Sequence, residues 1–230
     1  HFSDYKKEVV QRLVFPFGSA EQDQMAAPTV ASQSRYLFGD IDGRSSFMLE
    51  TNTLLFQTTR YDTFETFSET LLKGLRILHN ALGLDFVERI GLRYLNAIQP
   101  SKEESLRTFL VPEVLGHALL RGEGGTLQHS VSETSFLTAA GQLLVSRVLI
   151  RDGHIGLPIE LSGLSPTIDP RFTQSEGLHA IVDTDTAIVH REAFQLEKVD
   201  MCLTALHDEI VKSFTATVTD HARASWANGE

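Results

Sequence analysis

The chain has 230 residues, of which 42% are hydrophobic and 22% charged, with a formal net charge of -10. That length suffices for one large domain or two small lobes around a substantial core. The acidic balance disfavours nonspecific binding to nucleic acid or to an anionic membrane, since both need a cationic surface. Cys202 is the only cysteine, which excludes an intrachain disulfide and a thiolate metal cage. No apolar run reaches the roughly 18 residues of a membrane-spanning helix. No leader, membrane association or cofactor is expected, and the expected location is the cytoplasm. His1 opens the chain without a methionine, leaving room for a natural start upstream.

In chain order, residues 4–14 (DYKKEVVQRLV) read as a short helix with Val9, Val10 and Leu13 inward. Gly18 to Ser34, rich in Gln, Ala, Ser and Pro, reads as a loop. Strands are expected at Arg35–Ile41 and Ser45–Glu50, flanking Asp42-Gly43, a pair suited to the positive backbone angles of a tight hairpin. Thr53–Tyr61 supplies another strand. Asp62 then opens a helix through an Asp62-x-x-Glu65 capping box. Phe64, Phe67, Leu71, Leu75 and Leu78 recur at helical spacing, and Gly83 is the left-handed stop.

Phe86–Ile98 returns as a strand. Ile90, Leu92, Tyr94, Asn96 and Ile98 share one face, and Val87, Arg89, Gly91, Arg93 and Leu95 the other. Pro100 ends that unit, and Ser101-x-x-Glu104 reads as the cap of a brief helix. Residues 112–125 fit more than one state. Thr126–Thr138 and Gln142–Ile150 form a long hairpin about Ala140-Gly141. Residues 151–176 are broken by Pro158, Pro166, Pro170, Gly153, Gly156 and Gly163. Leu178–Val189 is a strand, and Leu196–Phe214 a helix with Val199, Leu203, Leu206, Ile210 and Phe214 inward. Thr219–Trp226 is a short terminal helix.

Runs of strands joined by hairpins, with only two long helices, predict an α+β fold with a largely antiparallel sheet. We expect a single compact unit over 1–230, with lobes 1–110 and 111–230 as its subdivision. Leu75, Leu78, His79 and Phe86 echo Leu203, Leu206, His207 and Phe214 at a constant offset of 128, so the lobes are candidates for relatedness. Helical periodicity alone generates most of that match.

The segments TTRYDTF at 58–64, RIGLRYLN at 89–96 and LTALHDEIVKSFTATVTDHA at 203–222 resemble a sporadically distributed family of uncharacterised bacterial proteins. Its pattern is an ETTRY-like strand, a helix, an IGLRY-N strand, and a C-terminal helix leading to a short final segment. The resemblance spans most of the chain and is loosest across 100–177. Members usually open with an apolar strand before the first helix, and this chain shows no such run. The resemblance implies no activity.

Chemistry concentrates on arginine. Arg89 and Arg93 sit four apart on one strand face with Gly91 between them, and Gly91 allows close approach to the backbone. If strand 53–61 pairs alongside, Arg60 joins them, with Tyr61 at the rim. Such a cationic wall would bind carboxylate or phosphate through bidentate forks. Cross-strand pairing with Glu50, Glu88 or other acids is the competing and commoner role. Tyr94 and Asn96 read as a buried tyrosine with a partnered hydroxyl and a polar strand end. Cys202 reads as packing. Gly122-x-Gly124-Gly125 lacks the Lys-Ser/Thr of a phosphate loop.

His179, Asp183 and Asp185 alternate along one strand face, near His190, and are the alternative metal set. The expected function is a non-enzymatic binding or regulatory protein acting through a protein partner or a small anionic ligand at Arg60, Tyr61, Arg89 and Arg93. The alternative is a metal-dependent phosphoester hydrolase using His179, Asp183 and Asp185.

Overall fold

The computed structural model describes residues 2–14, 29–101, 103–119, 126–158, 161 and 166–227. The chain divides into two compact units, His1–Leu75 with Ile159–Ile168, and Arg76–Pro158 with Asp169–Glu230. The α+β expectation holds, with each unit carrying its own four-stranded antiparallel sheet.

The first unit is a meander of β1 (Asp4–Val14), β2 (Thr29–Gly39), β3 (Ser45–Glu50) and β4 (Thr53–Thr58), in that spatial order. Residues 4–14 are therefore a strand and not the expected helix, paired with β2 from Asp4↔Gly39 to Val14↔Thr29. Val9 and Val10 lie on opposite faces, Val9 exposed and Val10 half-buried. Spacing of 9, 10 and 13 fits a helix, but β-branched valines beside a partner strand favour the ladder, a case of tertiary context outweighing local pattern. The expected loop at 18–34 falls largely outside the described residues, and its last part, from Thr29, belongs to β2.

The β2–β3 turn uses the expected Asp42-Gly43 pair, with Gly43 at φ 65° and its amide donating to the Asp40 carbonyl at 3.1 Å. Burial alone would raise the Asp40 carboxyl. Hydrogen bonds from Ser45 and Arg44 outweigh it and hold that carboxyl below its ordinary value.

Helix α1 (Phe64–Leu82) begins in this unit. Its capping side chain is Thr63, whose Oγ1 accepts from the Thr66 amide at 3.2 Å, one residue later than the expected Asp62. Its first half lays Phe67 beside Phe56, whose ring meets that of Phe47 at a tilt across β3–β4, 4.8 Å between centroids. Gly74 allows the approach, because a Cβ there would lie 2.5 Å from the Phe47 ring. Gly83 ends the helix at φ 64°, as expected.

The second unit holds β5 (Phe86–Ile98), β6 (His129–Leu137), β7 (Leu143–Arg151) and β8 (His179–Ala193), in the spatial order β5-β8-β7-β6. Between β5 and β6 lie α2 (Leu106–Phe109), α3 (Pro112–Leu115) and a 3-10 turn (Gly116–Leu119). Ser101 and Glu104 do meet, at 2.9 Å, but they close a turn, and Ser105 occupies the N-cap position of α2 without a side-chain cap. The Gly122-Gly125 motif lies outside the described residues.

After α4 (Pro170–Thr173) come β8, α5 (Leu196–Thr217) and α6 (Asp220–Ala227). The even-numbered face of β8 (Ala180, Val182, Thr184, Thr186) is fully buried, and Ala180 and Val182 join Ile98, Val148, Ile150 and Leu110 in the core. Val199, Leu203, Leu206 and Ile210 of α5 are buried as expected. In the 128-residue echo, Phe86 opens a strand while Phe214 lies in a helix. Among the described residues, no helix is long and apolar enough to cross a membrane.

Candidate functional site

The four arginine-site residues are shared between the units. Arg60 and Tyr61 follow β4 in the first, whereas Arg89 and Arg93 lie on β5 in the second. The condition for Arg60 to join Arg89 and Arg93, pairing of strand 53–61 alongside strand 86–98, is not met among the described residues. The partner of β4 is β3, and the partner of β5 is β8. Strand pairing depends on long-range register, which hydrophobic alternation alone leaves open.

Arg60 and Tyr61 line a cleft of about 130 Å³ at the head of α1. Its wall includes Thr58, Arg60, Tyr61, Asp62 and Thr63, so most of the TTRYDTF segment faces it. Ser45, Thr66 and Thr70 add hydroxyls, and Phe56 and Phe67 add apolar surface. The local hydrogen bonding is regular. Ser45 and Thr58 share a hydrogen bond of 2.9 Å, and the Arg60 amide donates to Thr58 Oγ1 at 3.0 Å. The Arg60 guanidinium pairs with Asp42, both side chains being more than half exposed. Such an exposed pair is weak because solvent screens it, so the guanidinium can exchange Asp42 for another anion.

Arg93 has a different fate. Its Nε donates to Asp183 Oδ1 at 2.8 Å and its Nη2 to Oδ2 at 2.7 Å, a bidentate fork. Arg147 on β7 approaches the same carboxylate at 3.5 Å and also pairs with Glu133 on β6. Four charged side chains thus run across all four strands, and the Asp183 side chain at their centre is only 6% exposed. Arg93 lines neither this cleft nor the one beside Leu95–Ile98. The acids proposed for the candidate arginines are engaged elsewhere as well, Glu50 by Arg35 at 2.9 Å and Glu88 by Arg191 at 3.6 Å.

Arg89 is exposed, and its guanidinium lies over Gly91, where a Cβ would sit 3.0 Å from Nη1. The space left by that glycine is used by Arg89 itself. Asp185, opposite Arg93 in register, has its carboxyl raised by burial, with Asp183 adding to the rise and Arg89 and Arg93 opposing it.

His179, Asp183 and Asp185 share the odd-numbered face of β8 but do not converge. His179 and Asp183 are a four-residue step apart on the strand, roughly 13 Å along the backbone. The Nδ1 of His179 lies 2.9 Å from the Gly177 carbonyl, and Asp183 is taken by arginines. Among the described residues, no group of three His, Cys, Asp or Glu side chains could hold a metal ion. His190 is exposed.

Tyr94 Oη lies 3.4 Å from His207 Nδ1 on α5, the partnered tyrosine that its alternation predicts. Burial raises the Cys202 thiol, and Glu192 raises it further, which fits packing rather than nucleophilic use. Sequence reasoning missed the hydroxyls at Ser45, Thr66 and Thr70. The threonines recur at helical spacing from Thr63, a signal that the capping motif at Asp62 overshadowed.

No protein-family model matches this chain, and neither the curated proteins nor the solved structures offer a match.

Proposed function

We propose a non-enzymatic binding or regulatory protein that takes a small anionic ligand in the cleft at the head of α1. The observation that carries this reading is the convergence of Arg60, Tyr61 and a run of hydroxyls on one concavity. An exchangeable guanidinium supplies the charge, and neighbouring hydroxyls add hydrogen-bonding groups. The cross-strand ladder supports assigning the second-unit arginines a structural role, because Arg93 and Arg147 are both committed to acids of their own sheet. Arg60 and Tyr61 then carry the ligand, and Arg89 and Arg93 shape the sheet.

Calorimetric titration with inorganic phosphate and with succinate tests the reading. Saturable binding is expected, weakened roughly tenfold or more in Arg60→Ala, the scale of one lost charge-assisted hydrogen bond. Arg60→Lys should weaken it too, since an ammonium cannot reproduce the fork. Binding that is indifferent to both substitutions, or no binding to either anion, would reject this site.

A further inference from the structure

A second cleft, of about 310 Å³, belongs wholly to the second unit in its described lining and shares no residue with the first. It is lined by four consecutive residues of β5, Leu95 to Ile98, and by the rings of Phe172, Phe214 and Trp226. Successive side chains on a strand point to opposite faces. A cleft that touches four in a row therefore runs along the edge of the strand and not over one face.

That edge is open. β5 is an outer strand whose sheet partner is β8, on one side. Among the described residues, nothing pairs with the backbone of Leu95–Ile98 on the other side, so alternate N–H and C=O groups face the cleft. The first half of β5 discourages pairing. It has a register break between Val87 and Arg89 and carries Glu88 and Arg89. Bulges and charges are the usual protection of an edge. Leu95, Asn96, Ala97 and Ile98 carry neither a bulge nor a charge nor a proline.

The walls are aromatic. Phe214 on α5 and Trp226 on α6 stack at 5.9 Å and 27°, with Phe109 stacked behind Trp226 at 6.1 Å. Phe172 on α4 carries the Arg171 guanidinium over its ring at 4.5 Å. Trp226 nevertheless stays 38% exposed. A small apolar molecule would use the rings alone. An extended peptide uses rings and edge together, through main-chain hydrogen bonds and a side chain set against the aromatic wall.

We propose that the Leu95–Ile98 edge is a strand-addition site for an extended peptide segment of a partner protein, whose aromatic or branched aliphatic side chain seats against Phe172 and Trp226. The site is independent of the anion cleft, and Arg60→Ala leaves it intact.

Trp226 is the only tryptophan of the chain and so reports on this cleft directly. The probes are blocked hexapeptides alternating threonine with valine, isoleucine, leucine, phenylalanine or tyrosine, titrated against the full chain and followed by Trp226 emission and by backbone amide shifts. At least one member is expected to give a saturable emission change, with shifts centred on Leu95–Ile98. Two N-methylated versions of that peptide, blocked on alternate amides, separate the modes. One version should lose binding and the other keep it, because only one edge of an added strand faces β5. Phe172→Ala, with an unchanged circular dichroism spectrum, should weaken binding about fivefold or more. The proposal is overturned if no member binds at millimolar concentration, or if both methylated versions bind like the parent. It is equally overturned if N-acetyl-phenylalanine amide binds as tightly as the best hexapeptide, which would make the cleft a pocket for small apolar molecules.

Discussion

At the scale of single residues, the decisive arrangement is the carboxylate of Asp183 held between Arg93 and Arg147 in a nearly buried site. Removing one partner of such a pair leaves a charge without compensation, at a cost of about 3 kcal/mol or more. Arg93→Ala should therefore lower stability by about 2–3 kcal/mol in urea denaturation, somewhat softened because Arg147 remains. The double variant Arg93→Leu with Asp183→Leu should recover most of that loss, since an apolar replacement of the pair leaves no orphaned charge. A double variant no better than the single one would show that the ladder stabilises beyond charge balance.

Asp185 and His179 tie residue chemistry to pH. The Asp185 carboxyl titrates above its ordinary 3.8, mainly because burial disfavours the charged form. Its contribution to stability is full below pH 3.8 and is lost as pH rises through the folded value. Asp185→Asn should therefore raise Tm at pH 7 by about 1–2 °C, with the gain disappearing near pH 3.5. His179 is fully buried, its Nε2 has no partner among the described residues, and burial lowers its pKa below the ordinary 6.5. The Gly177 carbonyl and Asp152 oppose that fall, and Arg151 adds to it. Stability from neutral His179 is present above pH 6.5 and lost as pH drops through the folded value. His179→Gln should flatten the Tm profile between pH 7 and pH 5, and an unchanged profile would assign the acid sensitivity to other groups.

At the scale of elements, α1 shows how one small residue governs packing. Gly74 costs the helix about 1 kcal/mol of propensity relative to alanine. Its place is explained by the Phe47 ring, which a Cβ would meet at 2.5 Å. Gly74→Ala should lower Tm despite the better helix former, and Gly74→Ala with Phe47→Leu should recover part of the loss. Were the single variant more stable, the ring would have moved aside freely. Helix periods and stops were legible here, because Phe67, Leu71, Leu75 and Gly83 satisfy local rules. The segment 4–14 was not, since DYKKEVVQRLV supports two periods and only β2 selects between them.

At the scale of the molecule, the β7–β8 connection contributes Thr167 to the first unit. The Thr167 amide donates to the Gly43 carbonyl at 2.7 Å, and Thr59 Oγ1 donates to the Thr167 carbonyl at 2.5 Å. Hydrogen exchange should find the Thr167 amide protected well beyond that of Ser175, despite its place in a long connection. Equal exchange at the two sites would mean that this join opens readily.

The residue order by itself determined the local elements. β5, the β6–β7 hairpin, α5 and the stop at Gly83 follow from alternation, helical spacing and turn glycines, all of which act within a few residues. It also determined that arginine is the site chemistry to examine. Which arginines work together was decided only by tertiary structure. Arg60 and Arg93 look equivalent along the chain, yet one lies in a cleft on an exchangeable surface pair and the other is locked to Asp183, 90 residues away. The open edge of β5 is likewise a product of sheet order, because an edge is defined by the strand that does not pair, and no local pattern encodes it.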